Sequence, residues 1–309
     1  MSPSHLPEET RLSRVHLRTA DLRRALGFYE GVLGLKVLEN RTTEVSLGAA
    51  ENGPPLIILT EDRNAASRPL RTIGLYHLAL RYPTRRDLAH AFQRLLNANH
   101  PIEGASDHDV SEAIYLSDPD NNGVELYADR SRATWQWHNG QVGMSTKPLD
   151  MASLLATIKP ETTPAHVPAG TDLGHIHLHV RNLAAAEHFF RNFLGFDVTQ
   201  RNYPGALFFS AGGYHHHLAA NTWAGHAAPP ANSVGLISYR LEVPSAEALA
   251  DLRARARESG VKTRPEAAGS DSQLLSISDP NGNWLEVYCP IPSPAPRATV
   301  TRTHQLSNN

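Results

Sequence analysis

Two widely separated stretches of this chain follow one pattern: RVHLRTADLRRALGFYEGVLGLKVL, from Arg14, and GHIHLHVRNLAAAEHFFRNFLGFDVT, from Gly174. Each reads as an alternating strand, a turn with Asp or Asn, a helix with an aromatic pair, a Leu-Gly step and a second strand. Leu17 matches Leu178, Leu22 matches Leu183, Phe28 matches Phe189, Leu33 matches Leu194 and Gly34 matches Gly195. The apolar spacing within the helix gives one buried stripe. The glycine after leucine ends the helix in a left-handed conformation that a β-carbon disfavours. A second pair follows: YHLALRYPTRRDLAHAFQRLLNANHPI, from Tyr76, and YRLEVPSAEALADLRARARESGVKT, from Tyr239. Each runs strand, Pro turn, charged amphipathic helix and short β segment. Each closes in a hairpin, AIYLSDPDNNGVELYAD from Ala113 or LLSISDPNGNWLEVYCP from Leu274, with Asp, Pro, Asn and Gly at the bend. The chain therefore reads as α+β, with four βαβββ modules at about 12–61, 72–130, 173–222 and 234–290.

The modules group along the chain as residues 12–130 (modules 1 and 2) and 173–290 (modules 3 and 4). Residues 131–172 form a linker that contains TWQWHNG and a short helix at PLDMASLLATI; residues 291–309 form a Pro-rich, loose tail. Composition is globular, 40% hydrophobic and 19% charged. A net charge of −2 offers no field for nucleic acid or an anionic membrane. The opening MSPSHLPEET has no apolar leader, and nothing in the sequence is a membrane-length apolar run. The single cysteine, Cys289, excludes an internal disulfide and fits a reducing, cytoplasmic setting. Against this ordinary background stand 17 histidines. Histidine is both the commonest metal ligand and the commonest general base.

A strand beginning HIHL, a helix ending in Leu-Gly, and a hairpin of the form DPxGNxxE resemble the vicinal-oxygen-chelate superfamily of glyoxalase I, extradiol dioxygenases and resistance proteins. The resemblance covers about four-fifths of the chain, and the four-module order is similar to bacterial catechol-2,3-dioxygenase-like proteins. It implies two cupped, barrel-like mixed sheets with helices outside. It also implies metal ligands from the first and last strands of modules. The first-strand position, three residues before a core leucine, is Arg14, His77, His175 and Ser238 in modules 1 to 4; the hairpin acid is Glu125 in module 2 and Glu286 in module 4.

His77, Glu125 and His175 thus form the expected metal set, if module 2 pairs with module 3 and module 1 with module 4. Sequential pairing of modules 3 and 4 would give His175, His217 and Glu286 instead. Two imidazoles and a carboxylate leave positions open for substrate and O₂ on iron(II), but also accept manganese, zinc or nickel. The resemblance further implies that Tyr115, ten residues before Glu125, and His108 orient the substrate oxygens. In the run FFSAGGYHHHLAAN, read as one strand, His215 and His217 share a face and His216 takes the other. His217 is then the expected acid/base residue, or a fourth ligand in a glyoxalase-like isomerase or lyase. A non-catalytic binding or resistance protein is the third reading. The implied partner is a small aromatic diol; a homodimer is allowed but not fixed. Trp135, Trp137 and Trp223 are read as packing residues.

Overall fold

The structure is a computed structural model describing residues 5–265 and 273–290. Module 1 contributes β1 (Arg11–Thr19), helix α1 (Leu22–Leu26), β2 (Lys36–Asn40), β3 (Glu44–Gly48) and β4 (Ile57–Glu61). Module 2 contributes β5 (Gly74–Tyr82), α2 (Arg85–Asn97), β6 (Gly104–Asp107), β7 (Ser111–Ser117) and β8 (Gly123–Asp129). The linker holds β9 (Trp137–His138), β10 (Gln141–Val142), β11 (Lys147–Pro148) and α3 (Met151–Leu155). Module 3 contributes β12 (Asp172–His179), α4 (Leu183–Glu187), β13 (Asp197–Gln200), β14 (Ala206–Ser210) and β15 (Leu218–Asn221). Module 4 contributes β16 (Gly235–Glu242), α5 (Ala246–Ser259), β17 (Leu274–Ser278) and β18 (Trp284–Tyr288).

The repeat is visible in the local chemistry. The first helix of every module starts on a polar cap: Asp21, Thr84, Asn182 and Ser245 each accept a hydrogen bond from the backbone N–H three residues on. That satisfies a donor the helix itself leaves unpaired. The helices of modules 1 and 3 both widen into π-helical turns, Gly27–Val32 and His188–Leu194. Both stop at the expected glycine, Gly34 at φ 86° and Gly195 at φ 97°. The two hairpin bends are copies of each other. Asp118 accepts from the backbone of Asp120 and Asn122, and Asp279 from that of Asn281 and Asn283.

Pairing runs crosswise between the halves of the chain. One large sheet has seven strands, in the order β17-β18-β16-β1-β4-β3-β2, and a second has nine, β11-β6-β7-β8-β5-β12-β15-β14-β13; β9 and β10 pair separately in the linker. β1 lies antiparallel to β16, joining modules 1 and 4, and β5 lies antiparallel to β12, joining modules 2 and 3. The sheets adjoin where β1 approaches β12 and β16 approaches β5. One continuous apolar cluster, including Leu17, Leu78, Leu178 and Leu241 from the four first strands, ties both sheets to their helices. The opposite, inner face of the nine-stranded sheet carries small residues, Ala79 and Ala113 beside Tyr127, and Ala206 and Ala219 beside Phe208. Alanine at alternate strand positions leaves the cup open.

The linker packs closely. Trp135 and Val142 form a separate small cluster with Val110 and Tyr214, and β11 extends the nine-stranded sheet at β6. The tail at 291–309 lies outside the described residues. No helix among the described residues is long and apolar enough to cross a membrane.

Candidate metal centre

The pairing of β5 with both β12 and β8 assembles three buried polar groups on the inner face. Ala79 of β5 stands opposite His175 in β12 and opposite Glu125 in β8, with His77 two residues before it. His77, Glu125 and His175 are 6%, 3% and 1% exposed. Glu125 Oε2 lies 3.0 Å from the Nε2 atoms of both histidines, which are 3.3 Å from each other. A close backbone approach holds His77 in place: a β-carbon on Gly123 would stand 2.2 Å from the Tyr76 carbonyl oxygen and 3.0 Å from the His77 β-carbon.

Burial opposes charge on Glu125, yet its contacts with His175 and His77 keep the carboxyl well below its ordinary range. Burial pushes His175 down to about 4, so its ring is neutral at physiological pH. An ionised carboxylate and a neutral imidazole are the forms that bind metals. The donor set fits a divalent ion. Ligands about 2.1 Å from a metal and at right angles to each other are roughly 3.0 Å apart, close to the separations found here. Two histidines and one carboxylate on one side of a centre match the facial arrangement used for iron(II) oxygenases.

The cluster opens into a cavity of about 420 Å³. Tyr115 lies opposite Glu125 in the neighbouring strand β7 and lines this cavity together with His108. The Tyr115 hydroxyl is 2.6 Å from His108 Nε2, and His108 Nδ1 is 2.6 Å from the Ser145 carbonyl oxygen. Because a carbonyl only accepts, Nδ1 carries a proton toward Ser145, which leaves Nε2 to accept from the Tyr115 hydroxyl. The Tyr115 oxygen then keeps its remaining lone pairs for the cavity. Burial and the Glu125 charge raise the Tyr115 pKa well above its ordinary value, so it stays a phenol.

The histidine run departs from the expected alternation. The stretch from Phe208 is two strands separated by a turn, because Gly212 and Gly213 both adopt positive φ, 60° and 62°. The count of faces cannot be carried across that turn. His217 faces away from the cavity: its Nδ1 accepts from the Ala211 backbone at 3.3 Å and lies 3.4 Å from Ser210 Oγ. His216 lines the cavity instead, with its ring 4.1 Å from that of His175. The alternative metal set His175, His217 and Glu286 is not assembled. Glu286 belongs to the seven-stranded sheet, where Arg14 and Arg240 hold it at 2.7 Å.

Other cavity residues escaped the sequence reading. Trp223, read there as packing, is 46% exposed at the cavity, with its ring 5.7 Å from Tyr76 and 6.0 Å from Tyr203. Trp135 does pack the linker. His177 also lines the cavity, its Nε2 held by the Asn221 amide at 2.9 Å. A sequence signal existed for Tyr76 and His177, since both neighbour a predicted ligand or lie two residues from one. Tyr203 and Trp223 come from loops, for which strand periodicity offers no guide.

Comparison with known proteins places the chain in a family. The model of the glyoxalase/bleomycin resistance protein/dioxygenase superfamily matches residues 11–126 and 172–287. The chain belongs to that superfamily. It is 42% identical over 259 residues to a catechol-2,3-dioxygenase of Bacillus subtilis (strain 168), covering 82% of this chain and 90% of the relative. It is also 30% identical over 168 residues to biphenyl-2,3-diol 1,2-dioxygenase 3 of Rhodococcus globerulus, covering 49% of this chain and 85% of that one. Among solved structures, glyoxalase I from Zea mays shares the fold with a TM-score of 0.55 and 15% identity, over 91% of this chain and 92% of the other.

Proposed function

We propose that this chain is an extradiol dioxygenase that opens the ring of a catechol-like aromatic, with iron(II) held by His77, Glu125 and His175. The observation that carries the reading is the buried three-donor cluster, open on one side to a cavity that also presents Tyr115, His108 and His216. When bound, iron(II) supplies Lewis acidity toward the substrate hydroxyls and the electron chemistry that lets O₂ react with the ring. The protein's own residues do the rest. Tyr115 donates its hydroxyl hydrogen bond to His108, so its oxygen is left to accept a hydrogen bond from one substrate hydroxyl and fix the ring's orientation. His216 takes the acid/base role in place of His217, because it faces the cavity with its ring 4.1 Å from that of His175. Phe208, Tyr76 and Trp223 offer ring faces and edges to an aromatic substrate and shed water from it. This wall and the cavity volume suit a catechol with an uncharged substituent.

The test combines metal analysis with oxygen uptake. Anaerobically purified protein should carry near-stoichiometric iron and consume O₂ with catechols. His216→Phe should keep the metal while kcat falls about a hundredfold or more. Metal retention with substrate turnover that needs no O₂ would replace the reading with a glyoxalase-like one. Tight ligand binding without any turnover would leave a binding protein.

A further inference from the structure

Behind His216 lies a hydrogen-bonded chain that neither metal binding nor substrate binding requires. His216 Nδ1 is 2.7 Å from His215 Nδ1, and His215 Nε2 is 3.0 Å from Asp129 Oδ1. His215 is 1% exposed and sits between the rings of Tyr214 and Trp135, at 4.1 and 5.3 Å. Asp129 is anchored from several sides. The Tyr214 hydroxyl lies 3.1 Å from both its oxygens, Arg81 Nη1 lies 3.4 Å from Oδ2, and the Tyr127 hydroxyl backs Tyr214 at 2.7 Å. The three links come from different parts of the sheet: Asp129 ends β8, whereas His215 and His216 come from the turn before β15.

We infer that Asp129 and His215 are positioning residues that hold His216 in a single tautomer, with the proton on Nδ1 and a free lone pair on Nε2 toward the cavity. An ionised carboxylate only accepts, so His215 carries its proton on Nε2. With His215 in that single-proton form its Nδ1 is an acceptor, and the proton for the 2.7 Å contact comes from His216 Nδ1. Burial works against ionisation of Asp129, but its bond to His215 and the nearby Arg81 keep it below its ordinary range, which agrees with the acceptor role. Without the dyad, His216 would be free to carry its proton on Nε2 and present a donor where a base is needed. The inference rests on His216 as the acid/base group, but the tautomer itself can be read without turnover.

The experiment is long-range ¹H–¹⁵N spectroscopy of the full chain, ¹⁵N-labelled at histidine and loaded with zinc as a diamagnetic stand-in. His216 should show a protonated Nδ1 and an unprotonated Nε2; a protonated Nε2 would overturn the inference. In Asp129→Asn the His216 pattern should change. With iron, its kcat should fall about 10³-fold or more, with KM and metal content within about twofold of wild type. Wild-type kcat in Asp129→Asn would also overturn the positioning role. The wild-type spectrum decides the matter even if the variant does not fold. Unchanged kcat in His216→Phe would instead remove the acid/base reading, which the tautomer spectrum does not address.

Discussion

The two sheets place different chemistry at the same repeat positions. In the nine-stranded sheet, His77, His175 and Glu125 meet with separations near 3 Å. In the seven-stranded sheet the corresponding residues are Ser238, Arg14 and Glu286. Ser238 Oγ donates to Glu286 at 3.0 Å, and Arg14 and Arg240 both reach the same carboxylate at 2.7 Å. Two guanidiniums bring to Glu286 the two positive charges that a divalent ion would bring to Glu125. The hairpin acid thus meets two fixed arginines in one sheet and, in the other, the two histidines of the candidate metal site. An arginine fills the space and offers no open position, so the seven-stranded sheet keeps the architecture and loses the capacity for metal chemistry.

The largest expected effect comes from converting one site toward the other. His175→Arg should reduce iron content to background and oxygen uptake by more than about a hundredfold, while the protein remains folded by circular dichroism. Retained iron in this variant would mean that the three residues do not form the site. Next in size is the loss of the arginine site's own partner. Glu286→Gln leaves Arg14 and Arg240 without their counter-charge, and urea unfolding should show a loss of about 3 kcal/mol with unchanged metal content. A fall in metal content would show that the two sheets are not chemically independent.

The pH dependence sharpens the same contrast. Burial works against ionisation of Glu286, but Arg14 and Arg240 outweigh it and hold its pKa below the ordinary 4.5. A depressed carboxylate pKa adds stability that is fully present above the unfolded value and is lost as pH falls through the folded one. The stability advantage of wild type over Glu286→Gln should therefore be complete at neutral pH and shrink steadily below 4.5. An advantage that persists in strong acid would mean that packing, rather than charge, accounts for it. The smallest effect concerns what the sheets share. Thr84→Ala and Ser245→Ala each remove one helix cap, one per sheet, and each should cost about 1 kcal/mol in thermal or urea unfolding.

The fold was largely legible in the sequence because each module carries its own punctuation. Caps at Asp21, Thr84, Asn182 and Ser245, glycines at Gly34 and Gly195, and the Asp118 and Asp279 bends mark every boundary locally. The pairing of modules was less legible, since strand periodicity says nothing about which edge a strand will meet. Both pairings remained chemically sensible until β5 was seen beside β12. The residues of the cluster, His77, Glu125 and His175, could be read as repeat positions. The histidine run could not, because alternation holds only while the backbone stays extended, and Gly212 and Gly213 interrupt it. Trp223 and Tyr203 reach the cavity from loops, where no periodic rule applies.

The crosswise pairing also sets an order of assembly. Arg11 of β1 meets Glu242 of β16, its partner 231 positions away, whereas His77 and His175 are only 98 apart. Closing the longer loop costs more chain entropy and has to wait for more of the chain. During synthesis, modules 2 and 3 are complete and able to pair before β16 has left the ribosome, while β1 of module 1, made first, waits longest for its antiparallel partner. The half that carries His77, Glu125 and His175 is therefore the first to take shape. The half that carries the arginines closes around it afterwards, joining the two ends of the chain.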